Sequence, residues 1–131
     1  MKLSRAVYDD IVAHAREGAP EEVCGVLGGE GREVTTVKRA ENVAATPETR
    51  YELAPAEQLS LLRAIEDAGE EVVGFYHSHP RGPRAPSETD ERLATWPDHV
   101  YLILALDGPE PWLGAWMWDG NAFVPEPVEL S

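Results

Sequence analysis

Apolar residues recur at helical spacing near the start of the chain, where Val7, Tyr8, Ile11, Val12 and Ala15 share one face. Ser4 can cap such a helix and Gly18 lies where it would end, so the pattern predicts a helix from Ser4 to about Glu17. Val23 to Leu27 is a short apolar run of the kind that buries as a strand. Gly28-Gly29-Glu30-Gly31 then reads as the turn into a second strand, Glu33 to Arg39, completing a hairpin. Asn42 to Leu53 reads as loop and short strand. Pro55 suits the first turn of a helix through Ala68, with Leu59, Leu62 and Ile65 facing inward and Gly69 closing it.

The second half continues the alternation. Val72 to Tyr76 is a strand that ends at a pair of histidines, and Ser87 starts a short helix that Pro97 cannot continue. Val100 to Leu106 is almost wholly apolar, as expected of a central strand covered on both faces. Trp112 to Trp118 and Ala122 to Val128 flank Asp119-Gly120, a hairpin signal. These elements predict an α/β fold, a mixed central sheet packed with helices. Trp112, Trp116 and Trp118 share one strand parity, which reads as sheet core or cover for a helix.

At 131 residues and 43% hydrophobic, the chain can bury one core, and residues 1–131 are expected to form a single domain. There is no apolar span of membrane-crossing length, and Met1-Lys2-Leu3-Ser4 leads into an amphipathic helix rather than a signal peptide. The one cysteine, Cys24, can form no internal disulfide and is expected to pack as a small buried hydrophobe. A cytoplasmic location fits these features. His14 and His99 have no partners in sequence and read as structural or surface residues.

Charge changes the picture. There are 24 acidic residues against 11 basic, a net charge of −13, and lysine occurs only at Lys2 and Lys38. Such a field repels phosphates, which excludes nucleic acid as a natural partner. Acidic surfaces poor in lysine resemble those of proteins from salt-loving archaea, where molar salt screens self-repulsion. Arg81 and Arg84 form a local positive cluster in the loop Pro80 to Pro86, and they are expected to steer an acidic partner surface. Three prolines stiffen that loop.

The densest chemistry lies in His77-Ser78-His79, followed after seven residues by Ser87-Glu88-Thr89-Asp90. On a strand, His77 and His79 point the same way and can offer imidazole nitrogens to one ion while Ser78 faces away. Asp90 can add an oxygen. Three protein ligands leave a position open, which is the catalytic rather than the structural zinc pattern, and a lone cysteine cannot build a thiolate cage. Ser87 and Asp90 also fit a helix N-cap and capping box, a role compatible with the site. The reaction needs a base near the ion, and Glu22 or its neighbour Glu21, just before the apolar strand, can provide one.

Glu22 three positions before Gly25, His77-Ser78-His79-Pro80, then Ser87 and Asp90, together resemble the JAMM motif of the MPN-plus metalloproteases, without departure at any of the five site positions. The resemblance covers nearly the whole chain and implies an MPN (JAMM) fold with one Zn2+ per subunit. It implies His77, His79 and Asp90 as the metal ligands, Glu22 rather than Glu21 as the proton carrier, and Ser87 as the oxyanion partner. Members of the family remove ubiquitin-like proteins by hydrolysing the bond after a C-terminal Gly-Gly. Small archaeal members act on small archaeal modifier proteins and their conjugates, the activity expected here. Two alternatives accompany it: short bacterial relatives release cysteine from a sulfur-carrier protein, and MPN domains lacking the metal residues are non-catalytic scaffolds. The nine residues between Asp90 and Val100 leave no room for the insertion with which chain-specific relatives select ubiquitin linkages.

Overall fold

The computed structural model describes residues 1–131. Its strands are β1 (Lys2–Leu3), β2 (Cys24–Glu30), β3 (Glu33–Ala40), β4 (Glu71–His79), β5 (Val100–Ala105), β6 (Trp112–Trp118), β7 (Phe123–Glu126) and β8 (Glu129–Leu130), and its helices are α1 (Arg5–Gly18), α2 (Pro55–Asp67) and α3 (Glu88–Leu93). The strands form one eight-stranded sheet in the order β7-β6-β5-β4-β2-β3-β1-β8. It is mixed, as predicted: β4 runs parallel to β5 and antiparallel to β2, while β1 runs parallel to both β3 and β8.

The helices lie on opposite faces of this sheet. Ser4 caps α1 by accepting the Val7 N–H at 3.2 Å, and the helix buries Val7, Ile11, Val12 and Ala15. These pack in one cluster with Tyr76, Leu102 and Leu104. Each fully buried aliphatic of this kind contributes about 1.5–3 kcal/mol, so this face supplies much of what holds the sheet against α1. On the other face Ile65 of α2 packs with Val26, Phe75, Tyr101 and Trp118. Alternation along β4 therefore sends Tyr76 toward the α1 cluster and Phe75, His77 and His79 toward the side of α2.

Several expectations need correction. β2 continues through Gly28 and Gly29 to Glu30, so the hairpin turn shrinks to Gly31-Arg32, with Gly31 at φ +58°. The segment 41–54 contains no strand. The N-terminal residues, read as helix lead-in, make a two-residue strand inserted between β3 and β8, and the Met1 ammonium donates to the Pro127 carbonyl at 2.9 Å. Leu59, expected inside, is 49% exposed; α2 is rotated so that Leu61, Leu62 and Ile65 face the sheet.

At Gly25 the absence of a side chain is required by packing. A Cβ there would overlap the Tyr76 ring and the Lys38 carbonyl, so glycine lets β2 pass close over the aromatic ring that backs the histidine strand.

Candidate metal centre

β4 runs through both histidines rather than stopping before them. Period two puts both imidazoles on one face and turns Ser78 to the other, where its hydroxyl accepts the Val23 N–H at 2.8 Å. The Ser78 N–H in turn donates to the Val23 carbonyl at 3.0 Å. This two-bond closure fixes the entry to β2 and, one residue earlier, Glu22. Beyond the loop, α3 begins with a complete capping box: the Asp90 N–H donates to Ser87 Oγ at 3.0 Å, and the Ser87 N–H donates to Asp90 Oδ2 at 2.9 Å.

The same Asp90 oxygen meets the histidines. Nε2 of His77 lies 3.2 Å and Nε2 of His79 3.1 Å from Asp90 Oδ2, and the two ring nitrogens are 3.1 Å apart. A carboxylate oxygen of Glu22 and the ring nitrogens of His77 and His79 all lie within 4.8 Å of one another. All four side chains are buried, and Glu21 is exposed. The structure thus brings together the residues singled out by their spacing along the chain, with Ser87 at the cap beside them.

Supporting residues include several that no sequence pattern marks. Asn42 donates from Nδ2 to the carbonyls of Glu22 (2.9 Å) and Arg50 (3.0 Å), and accepts at Oδ1 the N–H groups of Ala44 and Glu52. It therefore ties the loop 42–52 to the backbone of Glu22. That loop carries Tyr51, whose ring stacks on His77 with centroids 4.3 Å apart and planes at 23°. On the opposite side, His79 Nδ1 lies 2.8 Å from the Pro83 carbonyl. A carbonyl can only accept, so in the neutral ring Nδ1 carries the proton and Nε2 has its lone pair facing the centre.

Electrostatics follow from burial and these contacts. Burial raises the Glu22 carboxyl to about 7, with His79 opposing and Asp90 reinforcing the shift. Burial lowers His77, outweighing its bond with Asp90. At His79 burial also pushes downward, but Asp90, Pro83 and Glu22 together carry the net shift upward. Asp90 is pushed up by burial yet held well below the usual carboxylate range by His77, His79 and the Ser87 N–H. Cys24 is buried and its thiol is pushed up to about 12 by burial, as expected of an inert packing residue.

The donor set fits a divalent cation. Two imidazole nitrogens and a carboxylate oxygen face one another at 3.1–3.2 Å, near the edge of about 3.3 Å expected for a tetrahedron with bonds close to 2.0–2.1 Å. One polar atom beside them, Glu22 Oε1, is buried without any protein partner. Lone pairs converging in a buried space repel unless positive charge sits among them. Two nitrogen donors and a hard carboxylate oxygen suit zinc, and the absence of thiolates speaks against a structural site.

Other expectations fare unevenly. Arg84 is paired with Asp107 at 3.0 Å, so it is not the free cation expected of a steering residue, while Arg81 is exposed. Trp118 is buried against Phe123, whereas Trp112 and Trp116 are partly exposed neighbours with rings 6.2 Å apart. His14 has a partner after all, the Tyr76 hydroxyl at 2.7 Å. No helix is long and apolar enough to cross a membrane.

Comparison with known proteins shows the family and the fold. Residues 4–119 match the Prok-JAB family, described as prokaryotic homologs of the JAB domain. The chain is 48% identical over 129 residues to a desampylase of Haloferax volcanii, covering 94% of this chain and 91% of that protein. It is 43% identical over 100 residues to the CysO-cysteine peptidase of Mycobacterium bovis, covering 76% and 68% respectively. Among solved structures, a protein from Desulfitobacterium hafniense superposes with a TM-score of 0.89 at 32% identity, covering 99% of this chain and 92% of that one. A JAB1/MPN domain protein from Archaeoglobus fulgidus superposes with a TM-score of 0.64 at 18% identity, covering 100% and 96%, a likeness of fold.

Proposed function

Because the chain belongs to the prokaryotic homologs of the JAB domain, we propose that it is a zinc-dependent isopeptidase that hydrolyses the bond after the C-terminal Gly-Gly of a small ubiquitin-like archaeal modifier, releasing it from conjugated proteins. The observation that carries this reading is the meeting of His77 Nε2, His79 Nε2 and Asp90 Oδ2 with the Glu22 carboxylate beside them. The 48% identity to the Haloferax volcanii desampylase supports the substrate class. A net charge of −13 supports a cytoplasm rich in salt as the working environment.

His77, His79 and Asp90 would hold the ion. When bound, zinc supplies Lewis acidity that polarises a scissile carbonyl and acidifies water. Glu22, buried beside the two imidazoles, takes the proton from the attacking water and returns it to the departing lysine amine. The water oxygen bonds to the glycine carbonyl carbon, the C–N bond breaks, and a glycine carboxylate and a free amine leave. Ser87 Oγ already accepts the Asp90 N–H, which leaves its own O–H free to donate to the oxyanion. An extended Gly-Gly tail suits this site because it presents no side chain to the walls beside the scissile bond.

The test is incubation of the purified protein with a modifier joined through its Gly-Gly end to lysine, to a linear peptide and to cysteine. Cleavage of the lysine conjugate, abolished by a chelator and by Glu22→Ala with metal retained, is expected. Release from cysteine alone would instead assign the chain to the sulfur-carrier reaction. Binding of the modifier without cleavage would make it a scaffold.

A further inference from the structure

The loop from Pro80 to Pro86 joins the two halves of the centre, with His79 at one end and Ser87 at the other. Its middle is clamped to the turn between β5 and β6. Arg84 Nε donates to Asp107 Oδ1 at 3.0 Å, and the guanidinium lies over the Trp112 ring, 5.9 Å from its centroid. Gly82, at φ +78°, lies beside Asp107, where even an added Cβ would make only ordinary contact, 3.5 Å from the carboxylate. Between these anchors lies Pro83, whose carbonyl meets His79 Nδ1.

We propose that Arg84 is a positioning residue for the metal centre: through Asp107 and Trp112 it holds the Pro83 carbonyl against His79 and so selects which ring nitrogen faces Asp90 and Glu22. The inference rests on the reading of His79 as a metal ligand. The His79 backbone does not need this help, because its carbonyl already accepts the Gly82 N–H at 3.0 Å and the Leu106 N–H at 3.2 Å. What remains to be fixed is the imidazole's rotation and tautomer, and the Pro83 carbonyl is the group that fixes it.

Magnitudes separate this role from general stabilisation. Arg84 and Asp107 have side chains 47% and 31% exposed, and a pair so open to solvent adds little to folding. A partner that orients a metal-bound histidine typically changes metal affinity about 10–100-fold when removed. Arg84 acts one contact further out, so an effect of about 3–10-fold is expected at the site with little change in melting. A steering arginine would behave differently, because its loss would alter association with substrate and leave the ion untouched.

The experiment uses the full chain with Arg84→Ala, Asp107→Leu and the double variant. Zinc affinity is measured by competition with a chelating dye, turnover as kcat and KM, and the His79 tautomer by nitrogen NMR of the metal-free protein. Each single variant should lose about 3–10-fold in zinc affinity and in kcat, with KM within about twofold and the metal-free melting point within about 2 °C. The double variant should be no worse than either single, since both break one clamp. His79 should change from one ring tautomer to a mixture. Asp107→Leu is close in shape, cannot accept from Arg84, and keeps the test valid if Arg84→Ala folds poorly. Unchanged zinc affinity and tautomer in both singles, losses that add in the double, or a rise in KM alone would each overturn the proposal. A wild-type chain that binds no zinc would overturn the metal reading itself, an outcome distinct from a wild type that binds while the variants match it.

Discussion

Tyr51 lies nearly flat against the imidazole of His77, with ring centroids 4.3 Å apart and planes 23° from parallel. The two histidines are therefore held by different means: His79 by a carbonyl on its Nδ1, His77 by an aromatic face, with its own Nδ1 buried and unpartnered in the protein. Stacked aromatic pairs contribute about 0.5–1.5 kcal/mol beyond their area, enough to bias one ring orientation over another by roughly 2–10-fold.

Tyr51→Phe keeps the stacking surface and should leave zinc affinity and kcat/KM within about twofold. Tyr51→Ala should lower both by about 3–10-fold. Dye competition and steady-state kinetics on the two variants make the check, and equal behaviour of Phe and Ala would remove stacking as the cause.

Ser87 caps α3, and substitution can separate that duty from the oxyanion role proposed for it. Ser87→Ala loses the cap, costing about 0.5–2 kcal/mol, and the hydroxyl, costing on the order of 10²–10³ in kcat. Ser87→Asn keeps a capping side chain, so its melting point should stay near that of the wild type while kcat falls as in the alanine variant. Melts and turnover measured side by side decide whether the hydroxyl acts in the reaction or only at the helix.

Glu22 sets a pH dependence in the metal-free protein. Its carboxyl moves from an ordinary 4.5 to about 7 on burial, so across that window the folded chain keeps a proton that the unfolded chain has released. The folded state then binds more protons, and this group's contribution to stability falls as pH rises from about 4.5 to about 7. Glu22→Gln removes the effect. After chelation, the variant should gain on the wild type across this window by on the order of 1–2 kcal/mol, allowing for solvent screening. With zinc present the advantage should shrink or reverse, because a nearby cation favours the carboxylate. Urea melts at several pH values read both cases.

How much of this was legible in the chain depended on whether the signal was local. The Ser4 cap with its apolar stripe marked α1, and the His-x-His pair on an apolar run marked the face of β4 that carries both imidazoles. Ser87 and Asp90 were readable as a cap and as site residues at once, and the structure uses them as a complete capping box. Tyr51 was not readable: it sits in a loop without periodicity, and only the folding of that loop around Asn42 brings it to His77. Leu59 misled because three-residue spacing to Leu62 and Ile65 mimics a buried stripe, while packing rotated α2 toward Leu61. Strands of two residues, β1 and β8, carry no period at all and exist only through their neighbours.

The excess of acidic groups predicts a salt response. Ion pairs such as Arg39 with Asp10 and Glu17 are exposed and lose strength in salt, but at a net charge of −13 the mutual repulsion of carboxylates outweighs them. Raising potassium chloride from about 0.1 to about 2 M should lift the melting point by about 5–10 °C, on the order of 2 kcal/mol. A flat or falling response would count against adaptation to salt.

One oxygen, Asp90 Oδ2, receives the Ser87 N–H and also faces both imidazoles. The first turn of α3 and the reaction centre thus draw on a single atom, and neither can be loosened alone. Amide exchange at Ser87 and Asp90 should therefore slow when zinc is added, so two backbone protons would report an ion at this site without any substrate present.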